Sequence, residues 1–135
     1  MSSILVDNLT GKTTAGNVTV TSEGGAVTMH MQQGLAKAWI NMDGTGTIGA
    51  NDSFNMSTVT DNGTGNYTLA IGNSMVNALY SYTFGDYKAN NNSIQLSVNA
   101  GTAPTTSTIR IQCVTTGNNV NDPDQANITI HGDLA

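Results

Sequence analysis

Hydrophobic residues recur at every second position along most of this chain. The pattern begins at Val18 and Val20, continues through Val27, Met29 and Met31, and returns at Ala38, Ile40 and Met42. It resumes at Phe54 and Met56, then at Tyr67, Leu69 and Ile71, then at Tyr80, Tyr82 and Phe84. Ile94, Leu96 and Val98 follow, then Ile109, Ile111 and Cys113, and finally Ile128 and Ile130. Successive side chains of a strand point to opposite faces, so this alternation predicts strands with one buried face. Between the runs lie "SEGG", "DGTG", "DNGTG", "ANNNS" and "NAGTAPTTS". Their Gly, Asn and Asp residues accept the backbone angles of tight turns. Short strands at such intervals predict an all-β fold, a single β-sandwich or jelly-roll-like domain. Gln32 to Lys37 offer at most one helical turn.

The pattern is thin at the start. Residues 1–33 hold only "ILV" and "VTV" as apolar runs and no aromatic residue. That is too little for a core, so this stretch reads as an extended N-terminal β arm that needs another surface to pack on. Residues 34–135 then form the β-sandwich domain, and 135 residues in all suit one such domain.

Composition narrows the function classes. Only 10% of residues are charged, against about 25% in an average domain; Thr, Asn, Ser and Gly carry the polarity instead. A net charge of −5 and a pI near 4.4 argue against nucleic acid as a partner. Lys12, Lys37, Lys88 and Arg110 are too scattered to make a basic stripe. No apolar run approaches the roughly 20 residues that span a bilayer, so no membrane partner is expected. The N-terminus "MSSILVDNLTG" has no basic region ahead of a long apolar one, which predicts a chain made and used without export. Triplets such as Asn17-Val18-Thr19 and Asn127-Ile128-Thr129 arise from composition alone. Cys113 is the single cysteine and shares a strand face with Ile109 and Ile111, so it reads as a small buried hydrophobe.

Two loops invite a chemical reading. "NMDGTGTI" at 41–48 and "TDNGTGNYTL" at 60–69 both place Gly-Thr-Gly after an acidic or amide residue. A phosphate loop requires a following helix whose N-terminus faces the anion, and β-formers follow here. "TGKTT" at 10–14 ends like a phosphate loop, yet Val6 stands where its first Gly belongs. Calcium loops need several carboxylates at close spacing, and Asp43 and Asp61 each stand alone. Asp-Gly and Asn-Gly are strong hairpin signals, so both loops are predicted to be turns. His30 and His131 lack metal-ligand spacing, and no nucleophile motif accompanies them. No catalytic residue, metal or cofactor is therefore expected. Tyr80, Tyr82 and Phe84 fill one sheet face, or, in the sharper reading, form a carbohydrate-stacking platform. Trp39 is either a core anchor or, given Lys37 and Asn41 on its own side of the run, a rim or subunit-contact residue.

The segment Ala36 to Leu69, "AKAWINMDGTGTIGANDSFNMSTVTDNGTGNYTL", resembles one that recurs in virion structural proteins of tailed bacteriophages. The shared pattern is Lys/Arg-Ala-Trp, Asn/Asp-Gly-Thr-Gly-Thr, Ser-Phe-Asn-X-Ser and Thr-Asp-Asn-Gly-Thr-Gly-X-Tyr-Thr in this order. The opening "VDNL" is similar to the start of such proteins. The resemblance implies a non-enzymatic β-rich assembly module, a homotrimer, located on the virion after synthesis in the host cytoplasm. Fibre proteins of this kind add shafts or receptor tips, whereas this chain carries about 100 residues of domain. That brevity favours a capsid decoration or cement protein bridging major capsid subunits. The alternative is a short tail-fibre or appendage subunit contacting the host surface. Under the first reading Ile4, Leu5, Val6 and Leu9 dock on a partner, and Trp39 lies near the junction of arm and domain.

Overall fold

The structure, a computed structural model, describes residues 3–12, 18–21, 24, 25, 28–89 and 93–135. Val27 of the alternating pattern, Asn17 of the first Asn-X-Thr triplet, and parts of "TGKTT", "SEGG" and "ANNNS" lie outside the described residues. The chain divides into two compact units, Met1–Leu35 and Ala36–Ala135.

The first unit contains a two-stranded antiparallel ribbon, β1 (Thr19–Thr21) with β2 (Thr28–His30), paired from Thr19 opposite His30 to Thr21 opposite Thr28. All six strand residues are exposed. One 3₁₀ turn over Met31–Gly34 follows, which realises the single helical turn expected here one position earlier. The Met31 amide donates to the Val18 carbonyl at 2.7 Å and ties the turn back to the ribbon.

The second unit is a β-sandwich of two four-stranded antiparallel sheets. In chain order its strands are β3 (Ala38–Asp43), β4 (Gly49–Phe54), β5 (Met56–Asp61), β6 (Asn66–Ile71), β7 (Ser81–Tyr87), β8 (Ile94–Val98), β9 (Thr108–Thr115) and β10 (Gln125–His131). One sheet has the order β4-β3-β10-β7 and the other β5-β6-β9-β8. The all-β sandwich expected from alternation is the fold observed. The first and last strands of the unit, β3 and β10, lie side by side at the centre of one sheet, so the chain closes on itself.

Burial follows the alternation strand by strand. The central strands β3, β6, β9 and β10 alternate buried and half-buried positions. Ala38, Ile40, Met42, Tyr67, Leu69, Ile109, Ile111, Ile128 and Ile130 supply the core between the sheets. Each large apolar side chain buried there contributes roughly 1.5–3 kcal/mol. The edge strand β4, "GANDSF", carries mostly short or charged residues, which discourages uncontrolled pairing along an open edge.

One alternating pair is split by the fold. Phe54 and Met56 look like neighbours on one strand face, but Phe54 ends β4 in one sheet and Met56 begins β5 in the other. Asn55 between them has φ 54°, a left-handed conformation that breaks the strand. Its side chain holds the corner: Oδ1 accepts from the Asn73 amide at 2.6 Å and Nδ2 donates to the Lys37 carbonyl at 2.9 Å. Phe54 therefore points outward at 52% exposure, while Met56 packs against the core.

Candidate functional site

The two Gly-Thr-Gly loops are hairpin connections, as their composition predicts. The first joins β3 to β4 and the second joins β5 to β6. In each, the aspartate at the strand end caps the residue two positions on. Asp43 Oδ1 accepts from the Thr45 amide at 2.7 Å and from its hydroxyl at 2.6 Å, and Asp61 Oδ1 accepts from the Gly63 amide at 2.8 Å. Those Thr45 hydrogen bonds hold the Asp43 carboxyl below the usual carboxylate range. Carboxylates engaged in this way serve the turn, not a ligand.

Spacing does not reveal that the two loops meet. Tyr67, fully buried on β6, places its hydroxyl 2.7 Å from Asp122 Oδ1 and 2.9 Å from the Gly44 carbonyl. The same Asp122 oxygen accepts from the Gly65 amide at 2.6 Å. Asp122 thus ties the second Gly-Thr-Gly loop to the β9–β10 connection, and Tyr67 reaches across to the first. Burial raises the Tyr67 phenol far above its usual value, with the hydrogen bond to Asp122 acting in the same direction. Nearby, Asp124 bridges Lys88 Nζ at 2.9 Å and accepts from the Ala89 amide at 2.7 Å. Those contacts, the Ala89 amide first, lower its pKa. Alongside the bonds internal to each turn, the contacts of Asp122, Tyr67 and Asp124 link one loop to another. Among the described residues, no three His, Cys, Asp or Glu side chains are grouped to hold a metal ion.

The remaining chemical candidates are placed apart. His30 ends β2 in the first unit and His131 ends β10 in the second. Cys113 is fully buried on β9 beside Ile109 and Ile111, and burial pushes its thiol up to about 11, so it is a core residue. Tyr80, Tyr82 and Phe84 lie on the core side of the sheet, with Tyr82 opposite Ile130 and Phe84 opposite Ile128 on β10, but Tyr82 remains 37% exposed at the edge. Tyr80 is buried, with its hydroxyl directed at the carbonyls of Thr105 and Thr108 at 3.1 and 3.3 Å. Tyr82 packs on both rings, with centroids 6.4 Å from Tyr80 and 5.2 Å from Phe84. The row lies along one sheet face, with Tyr80 and Phe84 packed on the core and Tyr82 open between them.

Trp39 is not a core anchor. It is half-buried on the outer face of the β4-β3-β10-β7 sheet, directly opposite Phe54 on β4 and Thr129 on β10. Beside it runs a row of side-chain amides. Asn51 donates to Asn41 at 2.9 Å, Asn41 to Asn127 at 2.5 Å, and Asn127 to the Gly85 carbonyl at 3.5 Å. This face presents two aromatic rings next to amides fixed by one another. A register break between Asn41 and Met42 makes room for Asn51, which has no counterpart on β3. Sequence reasoning identified neither Phe54 nor the amide row as a surface, because that surface exists only once four strands are aligned.

Among the described residues of the first unit, the arm residues are exposed apolar groups. Ile4, Leu5, Val6 and Leu9 stand 85%, 93%, 59% and 56% open, and Val20, Met29 and Leu35 are exposed with them. Trp39, grouped with them as an interface residue, belongs to the start of the second unit. No family model, no curated protein and no solved structure matches the chain.

Proposed function

We propose that this chain is a bacteriophage virion structural protein, a capsid decoration or cement protein that stabilises the shell by bridging major capsid subunits. The observation that carries this reading is the first unit. Among its described residues it exposes seven large apolar side chains, and no residue of its two-stranded ribbon is buried. An isolated two-stranded ribbon is marginal in water at best. Contiguous exposed apolar surface marks an interaction site. The sandwich, by contrast, has its own closed core, and its loop carboxylates are occupied by turns. The resemblance of the Ala36 to Leu69 segment to phage virion proteins supplies the context.

In this mechanism the protein acts by binding and not by chemistry. Contacts of standard size bury on the order of 1,200–2,000 Å² each. A homotrimer engages several of them at once and gains avidity from effective concentration. Binding the closed shell but not its opened form stabilises the shell by linkage. Removing residues 1–33 is expected to abolish binding to capsids that lack this protein. The truncated chain keeps the far-ultraviolet dichroism of the sandwich. A truncated chain that still decorates capsids would overturn the mechanism.

A second reading, a short tail-fibre or appendage subunit contacting host-surface glycans, is favoured by the Trp39–Phe54 pair beside the Asn51–Asn41–Asn127 row. Aromatic faces next to oriented amides suit sugar rings, which offer C–H faces and hydroxyls together. Copy number separates the two readings. On a virion gel the cement protein approaches the molar amount of the major capsid protein, whereas an appendage subunit is a small fraction of it.

A further inference from the structure

The two long sides of the sandwich are closed differently. On the β7–β8 side, the rings of Tyr80 and Phe84 pack on the core, with the Tyr82 ring set edge-on to one and tilted against the other. On the other side, β4 and β5 are both sheet edges, and they diverge from the corner at Asn55. Between them opens a groove of about 290 Å³, floored by Ile40, Ile48, Met56 and Val59 and rimmed by Ser53 and Thr58. That volume falls just below the range of about 300–1,000 Å³ typical of small-molecule sites. No charged side chain lines it. An apolar floor flanked by two edges with unpaired backbone groups is the arrangement that accepts an added β-strand.

The chain carries a segment with the matching chemistry. Ser3 to Val6 has no helix, strand or turn of its own, and Ile4, Leu5 and Val6 are exposed. We infer that the β4–β5 groove receives the Ile4–Val6 segment of a second copy of this chain, donated as an additional edge strand. With the strand period of two, Ile4 and Val6 enter the groove while Leu5 faces outward against further surface. A single short strand covers less than the about 800 Å² per partner of a stable interface. Each copy must therefore both give and receive a strand, and cyclic symmetry closes such a head-to-tail exchange into a ring. The inference rests on reading the N-terminal segment as an assembly arm, and it names the surface of the same protein that the arm engages.

Disulfide trapping with separately substituted chains tests it. Cys113 is buried in the core and gives no background reactivity. Full-length Val6→Cys protein is mixed with full-length, tagged Thr58→Cys protein under mild oxidation. The expected result is a mixed disulfide well above that formed between Val6→Cys and Gln95→Cys, which sits on the opposite edge strand β8. No excess over the Gln95 control overturns the inference. So does a chain carrying both substitutions that crosslinks only within itself at every concentration. As a second measurement, Val6→Asp in the otherwise intact chain is expected to lower the molar mass in light scattering while the β-sheet dichroism is unchanged. An unchanged molar mass counts against strand donation. Capsid binding plays no part in either assay, so the virion reading can fail while the exchange stands, and the reverse.

Discussion

Replacing Gly65 with alanine is expected to destabilise the sandwich by roughly 2–5 kcal/mol, one of the largest effects of any single methyl group in this molecule. Gly65 has φ 65°, where an L side chain is already strained. A Cβ there would also sit 2.7 Å from the Cys113 carbonyl oxygen and 2.9 Å from the backbone N and O of Asn121. These are backbone atoms locked into the β6–β9 pairing and the β9–β10 connection, so they cannot swing aside. Gly46, in the other Gly-Thr-Gly loop, isolates the cause. It has the same φ of 65°, but a Cβ there would meet nothing within 4 Å. Gly46→Ala should therefore lose only the conformational share, roughly 1–2 kcal/mol. Denaturant titration of both variants measures the difference. Equal losses would show that crowding at Gly65 contributes nothing.

The second large effect concerns Tyr67. Tyr67→Phe keeps the ring in the core but removes the hydroxyl that faces Asp122 and the Gly44 carbonyl. That hydroxyl has one proton shared between these two acceptors, and losing its charge-assisted hydrogen bond at a buried site costs roughly 1–3 kcal/mol. The alkaline limb of stability supplies an independent check. The folded protein raises the Tyr67 phenol above its usual value of 10.0. Above pH 10 the unfolded chain releases this proton while the folded chain retains it. The tyrosine's contribution is thus complete below pH 10 and is lost as pH rises from there. Tyr80 is raised as well, by burial, and acts in the same direction. Wild-type stability should therefore fall above pH 10, and Tyr67→Phe should remove part of that slope. A slope identical in both proteins would mean that Tyr67 ionises no differently in the folded and unfolded chains.

Both effects trace to a junction that is half legible in the amino-acid order. Asp-Gly-Thr-Gly and Asn-Gly-Thr-Gly announce turns, because Gly and Asn adopt angles that other residues avoid. Nothing in their spacing announces that Asp122, more than fifty positions further on, binds the Gly65 amide and the Tyr67 hydroxyl. Asp122 reads as one more acidic residue in a polar loop. Its role follows from β6 and β9 being neighbours, a pairing distant in sequence.

The aromatic residues mark the same boundary. Alternation predicted that Tyr80, Tyr82 and Phe84 share a face, and they do. Whether that face is core or surface depends on which sheet lies opposite. Trp39 and Phe54 are separated by a whole hairpin and become direct neighbours only through the β3–β4 register. The corner at Asn55 left no glycine or proline to mark it, so Phe54 and Met56 passed for one strand. Asparagine can take the left-handed conformation, but it needs the Lys37 and Asn73 backbone to hold it there.

By itself, the order of residues determined the class of the fold, the placement of most strands, the inward set of apolar side chains and the turn character of both Gly-Thr-Gly loops. These are local properties: a period of two and the backbone tolerance of Gly, Asn and Asp act within a few residues. The tertiary structure alone decided the sheet order, the Tyr67–Asp122 junction, the outward position of Trp39 and the open groove between β4 and β5. Each of these depends on contacts between strands far apart in the chain, and those are chosen by the packing of two whole sheets around one core.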